Sequence, residues 1–324
     1  MRYQVKAGNV GEGTDILADR RVEVHLMKLL SREPVPRCCS QSRRAKTLTD
    51  FFCRSWNLVV QRKASMHFFL GGRDLEMQSI GKLLAIHDCV VFDRQLDWGA
   101  TASAYAEDIY SSLRQQRTAV LVELRDDLQL ADAAERGAVM FVDHHGDRAG
   151  LTQPTSIEQI FTLLQLPKSA WSRNLDLVAA NDRGSVQGML RLTPPATMQE
   201  LLQIRAADRL AQGITAEQES SGRLAAKGAQ AYLGDRLTTV CLPHSRTATV
   251  TDALDANLGG PGYQNLLIRS PQEICFFGCG SVIDRLRTAV HNSWWGGELP
   301  LSGYWGCKDV SDYEAILGLI LTAL

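Results

Sequence analysis

The residue types with the most evident chemical potential stand together in one short segment. Asp143, His144 and His145 directly follow the apolar run 138–142. Imidazole nitrogens and carboxylate oxygens are ligands of divalent metal ions, and a bound ion can activate water for attack on a phosphoester. The segment therefore predicts a metal site with hydrolytic chemistry. The alternative is a surface turn that carries two histidines by chance.

Further acidic residues follow other predicted strands. In open parallel sheets, ligands bind beyond the carboxyl ends of the strands, so we expect these residues to converge on the histidines. Carboxylate oxygens mixed with imidazole nitrogens suit manganese, with magnesium or zinc as alternatives. The acidic residues are Asp74 and Glu76 after strand 66–70, Glu123, Asp126 and Asp127 after strand 119–122, and Asp182 within Asn181-Asp182-Arg183-Gly184.

Each acidic group also has an ordinary structural explanation. Asp74 and Glu76 could cap the helix that follows them, because carboxylates favour the positive end of the helix dipole. The acidic residues after strand 119–122 could form a charged turn, and the sequence around Asp182 is typical of turns. Metal binding and these structural roles remain alternatives at this point.

The first half of the chain alternates between strand-like and helix-like patterns. Such alternation indicates a parallel sheet with helices on both faces, an α/β fold. Strands are predicted at 66–70, 89–92, 119–122 and 138–142, and helices at 77–86, 100–115 and 128–136.

The second half is predicted to contain a smaller α/β domain. After Pro194 and Pro195, the segments 198–212 and 216–232 have helical spacing and predict a helical linker. Strands are predicted beyond it at 237–242, 265–269 and 274–277.

Composition excludes several classes of protein. The formal net charge is −1 over 324 residues, which argues against strong binding of duplex DNA or of an anionic membrane. No apolar run reaches the 18 residues that a membrane-spanning helix requires. The eight cysteines form no Cys-x-x-Cys pair, a pattern typical of reduced cysteines in a cytoplasmic protein.

The segment from Val142 to Gly146 resembles the signature of the DHH phosphoesterase superfamily. This superfamily includes RecJ-type exonucleases, oligonucleotide and cyclic-dinucleotide phosphodiesterases, and manganese pyrophosphatases. A strand precedes the signature and a helix entry at 155–159 follows it, and residues 66–191 keep the order of the family's four motifs. The resemblance implies a metal-dependent phosphoesterase that uses manganese, with magnesium as the alternative.

The resemblance also implies a role for each candidate residue. The catalytic signature is Asp143, His144 and His145, in which Asp143 supports the histidines and His145 is a ligand or a phosphate contact. The implied metal ligands are Asp74, Glu76, Glu123, His144 and Asp182, with Asp127 as the alternative to Glu123. The implied phosphate contacts are His145, Arg183 and Arg246, although Arg246 could instead form a structural ion pair.

Three departures from the family pattern predict a divergent member. Leu70 stands where the family often has a histidine, and Glu76 replaces an aspartate. The glycine-rich segments 278–281, 293–297 and 303–306 lack the histidine of the family's Gly-Gly-Gly-His motif. The active form could therefore hold one metal ion or an atypical pair.

The sequence patterns and the resemblance together divide the chain into four parts. Residues 1–65 form an irregular extension, which is either a genuine arm or a segment before a native start at Met66. Residues 66–191 form the DHH-like catalytic domain, 192–235 the helical linker and 236–324 the small substrate domain.

The tryptophans receive structural assignments. Trp98 is expected to pack against the sheet, without a catalytic role. The group of Trp294, Trp295 and Trp305 is expected in the core or a domain interface rather than as a platform for a nucleobase.

Two hypotheses of function follow, with a third, weaker interpretation. The first is hydrolysis of a small nucleotide or short oligonucleotide phosphoester by metal-activated water. The second is a catalytically degenerate relative that binds a nucleotide as a sensor or partner-binding module. The third is a structural α/β protein whose signature is fortuitous.

Overall fold

The computed structural model describes residues 65–324, which belong to one compact unit. The predicted N-terminal extension, with its alternative start at Met66, lies outside the described residues apart from Ser65. No helix in the described part of the chain is long and apolar enough to cross a membrane.

The first sheet contains four parallel strands in the order β2-β1-β3-β4. Leu70 pairs with Val122, and Val122 pairs with Val142, so three strands end at the same level. The residues that follow these strands therefore meet at one edge, as predicted. The strands are β1 (Met66–Leu70), β2 (Val90–Phe92), β3 (Thr118–Val122) and β4 (Val139–Val142).

Ten α-helices occur in the described residues. They are α1 (Leu75–Ile86), α2 (Ala106–Arg114), α3 (Ala131–Glu135), α4 (Ser156–Leu163), α5 (Arg173–Leu190), α6 (Met198–Ala211), α7 (Ala216–Lys227), α8 (Ala248–Leu254), α9 (Gly280–Ala289) and α10 (Tyr313–Ala323).

Helices cover both faces of the first sheet. Phe68 and Val120 point to one face and pack with α1, α4, α5 and α6. Phe69 and Leu121 point to the other face and pack with α2 and α3. Burial on both faces explains the continuous apolar sequence of these strands, and the predicted α/β fold is confirmed.

The second sheet contains six strands in the order β5-β6-β7-β8-β10-β9, and only β6 and β7 pair in parallel. Helices α9 and α10 pack on one face, and α7 and α8 pack on the other. The strands are β5 (Gln230–Tyr232), β6 (Leu237–Cys241), β7 (Leu266–Arg269), β8 (Ile274–Cys279), β9 (Ser293–Gly296) and β10 (Ser302–Cys307).

One expectation for the linker region changes. The helix predicted at 216–232 ends at Lys227, because Gly228 caps it, and residues Gln230–Tyr232 form an edge strand. The proposed boundaries 66–191, 192–235 and 236–324 stay predictions.

Strands β9 and β10 occupy two of the three glycine-rich segments, 293–297 and 303–306. A Cβ on Gly306 would collide with the ring of Trp294, and one on Gly296 would collide with the hydroxyl of Tyr304. These glycines therefore make room for aromatic side chains of the neighbouring strand. Trp305 is fully buried, as expected for a core residue.

Candidate metal centre

The carboxyl ends of β3 and β4 bring Glu123 and His144 together. The Glu123 backbone N–H donates to the Val142 carbonyl at 2.8 Å, which continues the sheet beyond the last strand pair. Glu123 has a φ of 51°, a conformation that is uncommon for residues other than glycine and concentrates at functional sites. A Cβ on Gly71 would lie 2.5 Å from the Glu123 carbonyl oxygen, so only glycine permits this approach of β1.

Three carboxylates surround the Nε2 atom of His144. The Oδ2 atom of Asp182 lies 2.5 Å away, Glu123 Oε1 lies at 3.5 Å and Glu76 Oε2 lies at 3.6 Å. His144 and Glu76 are buried, with 4% and 1% of their surface exposed. The structure thus brings together four of the predicted site residues, which come from four separate segments.

The donor atoms of this group fit a divalent metal ion. Glu76 Oε2, Glu123 Oε1, His144 Nε2 and Asp182 Oδ2 are buried, and none has a hydrogen-bond partner within residues 65–324. Burial of unpaired polar atoms is unfavourable, whereas three carboxylate oxygens and one imidazole nitrogen that converge are metal donors. His145 lies next to this group: the candidate ligand atoms of Glu123, His144, His145 and Asp182 all lie within 4.8 Å of one another.

Glu76 is held in place by the start of α4. Its Oε1 accepts the backbone N–H of Ile157 at 3.0 Å, which leaves Oε2 facing His144. The helix starts with a reciprocal capping box between Thr155 and Glu158, as the sequence indicates. The position of α4 therefore fixes the position of Glu76.

Asp143 orients His145 rather than facing the carboxylates. Its Oδ1 accepts the His145 backbone N–H at 2.9 Å and lies 3.0 Å from Nδ1. Such a carboxylate contact sets the tautomer and the ring orientation of a histidine. The His145 ring lies 4.2 Å from the His144 ring, and its Nδ1 is 4.0 Å from Glu123 Oε1.

The concentration of carboxylates controls protonation at the site. Burial lowers the pKa of His144, but the negative charge of Asp182 outweighs this effect and holds the pKa well above its usual value. Burial raises the pKa of Asp182 to about 7, and the nearby charge of Glu76 adds to the rise. Both shifts follow from the negative charge that is concentrated at the site, which a bound cation would balance.

The setting of Asp182 differs from the prediction. Asp182 lies inside α5 rather than in a turn or after a strand, and the helix breaks just beyond it at Gly184 and Ser185. Ser185 has φ 50° and ψ −136°, and a Cβ on Gly184 would lie 2.5 Å from Glu298 Oε2. The turn-like composition therefore marks a break in the helix. Glu298, from the segment between β9 and β10, packs into this break.

The remaining acidic candidates make hydrogen bonds within the fold, and the metal role predicted for Asp74 stays a prediction. Asp74 caps α1 by accepting the Met77 backbone N–H at 2.8 Å, and burial together with the charge of Asp182 raises its pKa. It borders the cavity described below but lies outside the four convergent residues. Asp127, the alternative to Glu123, accepts the Ser103 backbone N–H at 2.8 Å on the exposed surface.

A buried network supports the site and was missed from the sequence. Arg205 Nη1 donates to Asn181 at 2.8 Å and to Asp208 at 2.9 Å. Asp208 also accepts the Leu75 backbone N–H at 3.2 Å. The network therefore joins the neighbours of Asp182 and Asp74. The sequence does contain a signal for burial of these two residues, because Arg205 and Asp208 share a helical face with the buried apolar residues of α6.

A cavity of about 830 Å³ extends from the site between the two sheets. Asp74 and Asp182 line it on one side, and Arg183 and Arg246 also line it. Arg183 Nη2 lies 2.5 Å from Glu158, and Arg246 Nη2 lies 3.3 Å from Asp97. Two of the three predicted phosphate contacts, Arg183 and Arg246, therefore border the cavity, and each is paired with a carboxylate.

Sequence comparison leaves the chain without an assigned family. No known protein-family profile matches it. No curated protein matches it.

Several solved structures are similar to the chain. An exopolyphosphatase-related protein from Bacteroides fragilis has 14% identity and a TM-score of 0.48, over 85% of this chain and 95% of that one. RecJ in complex with Mn²⁺ from Thermus thermophilus has 11% identity and a TM-score of 0.47, over 83% of this chain. The pGpG-specific phosphodiesterase PggH from Vibrio cholerae has 11% identity and a TM-score of 0.32, over 79% and 98% of the two chains.

The chain spans about half of the RecJ chain, 54% of its length. At these identities the likeness concerns the fold alone, so the argument about function rests on the residues of the site.

Proposed function

We propose that the chain is a metal-dependent phosphoesterase whose divalent ion is held by Glu76, Glu123, His144 and Asp182. The observation that carries the proposal is the convergence of four buried donor atoms that have no hydrogen-bond partner in the described structure. When bound, the ion would supply Lewis acidity towards a phosphoryl oxygen and activate water for attack on phosphorus. We propose manganese as the ion, with magnesium as the alternative.

The chain's own residues would orient the substrate. His145, which Asp143 orients and which lies beside His144, would contact a phosphate oxygen. Arg183 and Arg246 supply positive charge along the cavity, and a substrate phosphate would compete with Glu158 and Asp97 for them.

We propose a small nucleotide or a short oligonucleotide as substrate. A cavity of about 830 Å³ lies within the range of small-molecule sites, and a net charge of −1 gives no general attraction for duplex DNA. We also propose a cytoplasmic location, because the eight cysteines of the sequence form no Cys-x-x-Cys pair.

Hydrolysis assays test the proposal. The wild type, His144→Ala and Asp182→Ala would be incubated with manganese and either bis(p-nitrophenyl) phosphate or a short oligonucleotide. Asp127→Ala is the matched control, because Asp127 is an exposed carboxylate at the end of the same sheet. We expect manganese-dependent activity that both site variants lose and the control retains.

The opposite result favours the second hypothesis. If folded wild-type protein hydrolyses neither substrate with any divalent ion but still binds nucleotides, the chain acts as a nucleotide-binding sensor and the phosphoesterase proposal is wrong.

A further inference from the structure

Trp98 lies exposed beside the candidate metal centre. The sequence predicted that it packs against the sheet, and this prediction is wrong, because 44% of its surface is exposed. Its ring centroid lies 6.2 Å from His145 and 6.3 Å from Tyr304, and both contacts are edge-to-face. A large aromatic residue that contacts the site yet remains exposed calls for an explanation other than core packing.

The backbone, rather than the side chain, fixes the position of Trp98. The Arg73 N–H donates to the Leu96 carbonyl at 2.9 Å, and Gly72 forms a parallel bridge with Leu96. A Cβ on Gly72 would lie 3.2 Å from the Trp98 Cα, so the loop rests closely against the end of β1. Trp98 therefore has a defined location without burial of its indole ring.

Three aromatic rings from distant segments meet at this point. Trp98 follows β2, His145 follows β4 and Tyr304 belongs to β10 in the second sheet. The His145 and Tyr304 centroids are 6.3 Å apart. Trp98, Tyr304 and Asp182 all line the cavity, so a planar group bound beside the metal centre would meet the exposed indole.

We propose that Trp98 stacks on the nucleobase next to the scissile phosphate and selects phosphoesters that carry a base. The inference rests on the proposed function, since it names the substrate class of that same site. Nucleobases stack on aromatic side chains with little dependence on sequence. Pyrophosphate and polyphosphate have no planar group and would gain nothing from the indole.

Binding measurements test this role. Calorimetry on the full chain with manganese would compare the four ribonucleoside 5′-monophosphates with ribose 5-phosphate, which has the same phosphate but no base. The variants are Trp98→Ala and Trp98→Phe, which keeps an aromatic ring. Tyr232→Ala is the matched control, because Tyr232 is 37% exposed on the edge strand β5, away from the cavity lining.

Loss of stacking should weaken binding of at least one nucleotide by roughly 5-fold or more in Trp98→Ala. Trp98→Phe should restore most of the affinity, and ribose 5-phosphate should bind equally to all variants. Three results overturn the inference: nucleotides bind wild type no more tightly than ribose 5-phosphate, Trp98→Ala leaves nucleotide binding unchanged, or it weakens both ligands equally.

The two proposals can fail separately. Trp98-dependent nucleotide binding in a protein without hydrolysis would refute the phosphoesterase proposal and keep the stacking role. Manganese-dependent hydrolysis with base-independent binding would refute the stacking role and keep the phosphoesterase.

Discussion

Substitution of Gly71 by alanine should disturb the candidate metal centre without touching any ligand side chain. Gly71 directly follows β1, where the chain passes close to the end of β3. An added Cβ would lie 2.5 Å from the Glu123 carbonyl oxygen and 2.8 Å from that of Val122. Both are backbone atoms, which cannot move aside as a flexible side chain can. The two chain segments must therefore separate.

The structure gives the size of this displacement. Ordinary contact begins at 3.4 Å, so the Glu123 backbone must retreat by about 0.9 Å. Overpacking of this kind typically lowers the free energy of unfolding by about 1–3 kcal/mol. A misplacement of about 1 Å at a catalytic group can lower the rate on the order of 100-fold. Denaturant unfolding and manganese-dependent hydrolysis measure the two effects.

Gly81→Ala is the matched control. Gly81 lies inside α1, and its Cβ would meet only Leu70 Cδ1 at 3.5 Å. Alanine is favoured over glycine in a helix interior by about 1 kcal/mol, so stability should hold or rise and hydrolysis should not change. If Gly71→Ala retains both the stability and the activity of the wild type, the close approach of β1 does not position Glu123.

Three further substitutions or additions have defined outcomes. Glu123→Ala should abolish manganese-dependent hydrolysis while Asp127→Ala retains it; the reverse order of activities would assign the ligand to Asp127. Arg205→Met should lower the free energy of unfolding by about 3–5 kcal/mol, because its buried carboxylate partners lose their counter-charge. Denaturant unfolding measures this change, and an unchanged unfolding midpoint would show that Arg205 does not stabilise the region around the site. Manganese at about 100 times its Kd should stabilise the wild type by about 2.7 kcal/mol in thermal unfolding, and Asp182→Ala should show no such shift; equal shifts in both proteins would place the ion elsewhere.

Much of the site follows from local sequence. Continuous apolar runs defined β1, β3 and β4, and parallel strands end at one edge, so residues such as Glu123 and His144 could be placed together. The helix entry predicted at 155–159 is likewise a local feature, and α4 starts there with a capping box between Thr155 and Glu158. These features depend on neighbours within a few residues, which a single sequence displays.

The parts that were missed depend on contacts between distant segments. Asp182 has turn-like neighbours, yet α5 continues through it and breaks only at Gly184 and Ser185, where Glu298 packs against Gly184. Arg205 and Asp208 lie on the buried face of α6, but the sequence does not show that Asn181 and the Leu75 backbone are their partners. The exposure of Trp98 depends on the cavity between the two sheets. No local period carries such information.

Anomalous diffraction from manganese-soaked crystals tests the central claim most directly. We expect an anomalous peak from a manganese ion that is bound by His144 Nε2 and by carboxylate oxygens of Glu76, Glu123 and Asp182. Crystals of His144→Ala should lose or weaken that peak. A wild-type crystal soaked in millimolar manganese without a peak among these residues, or with peaks only elsewhere, would contradict the assignment of this group as a metal centre.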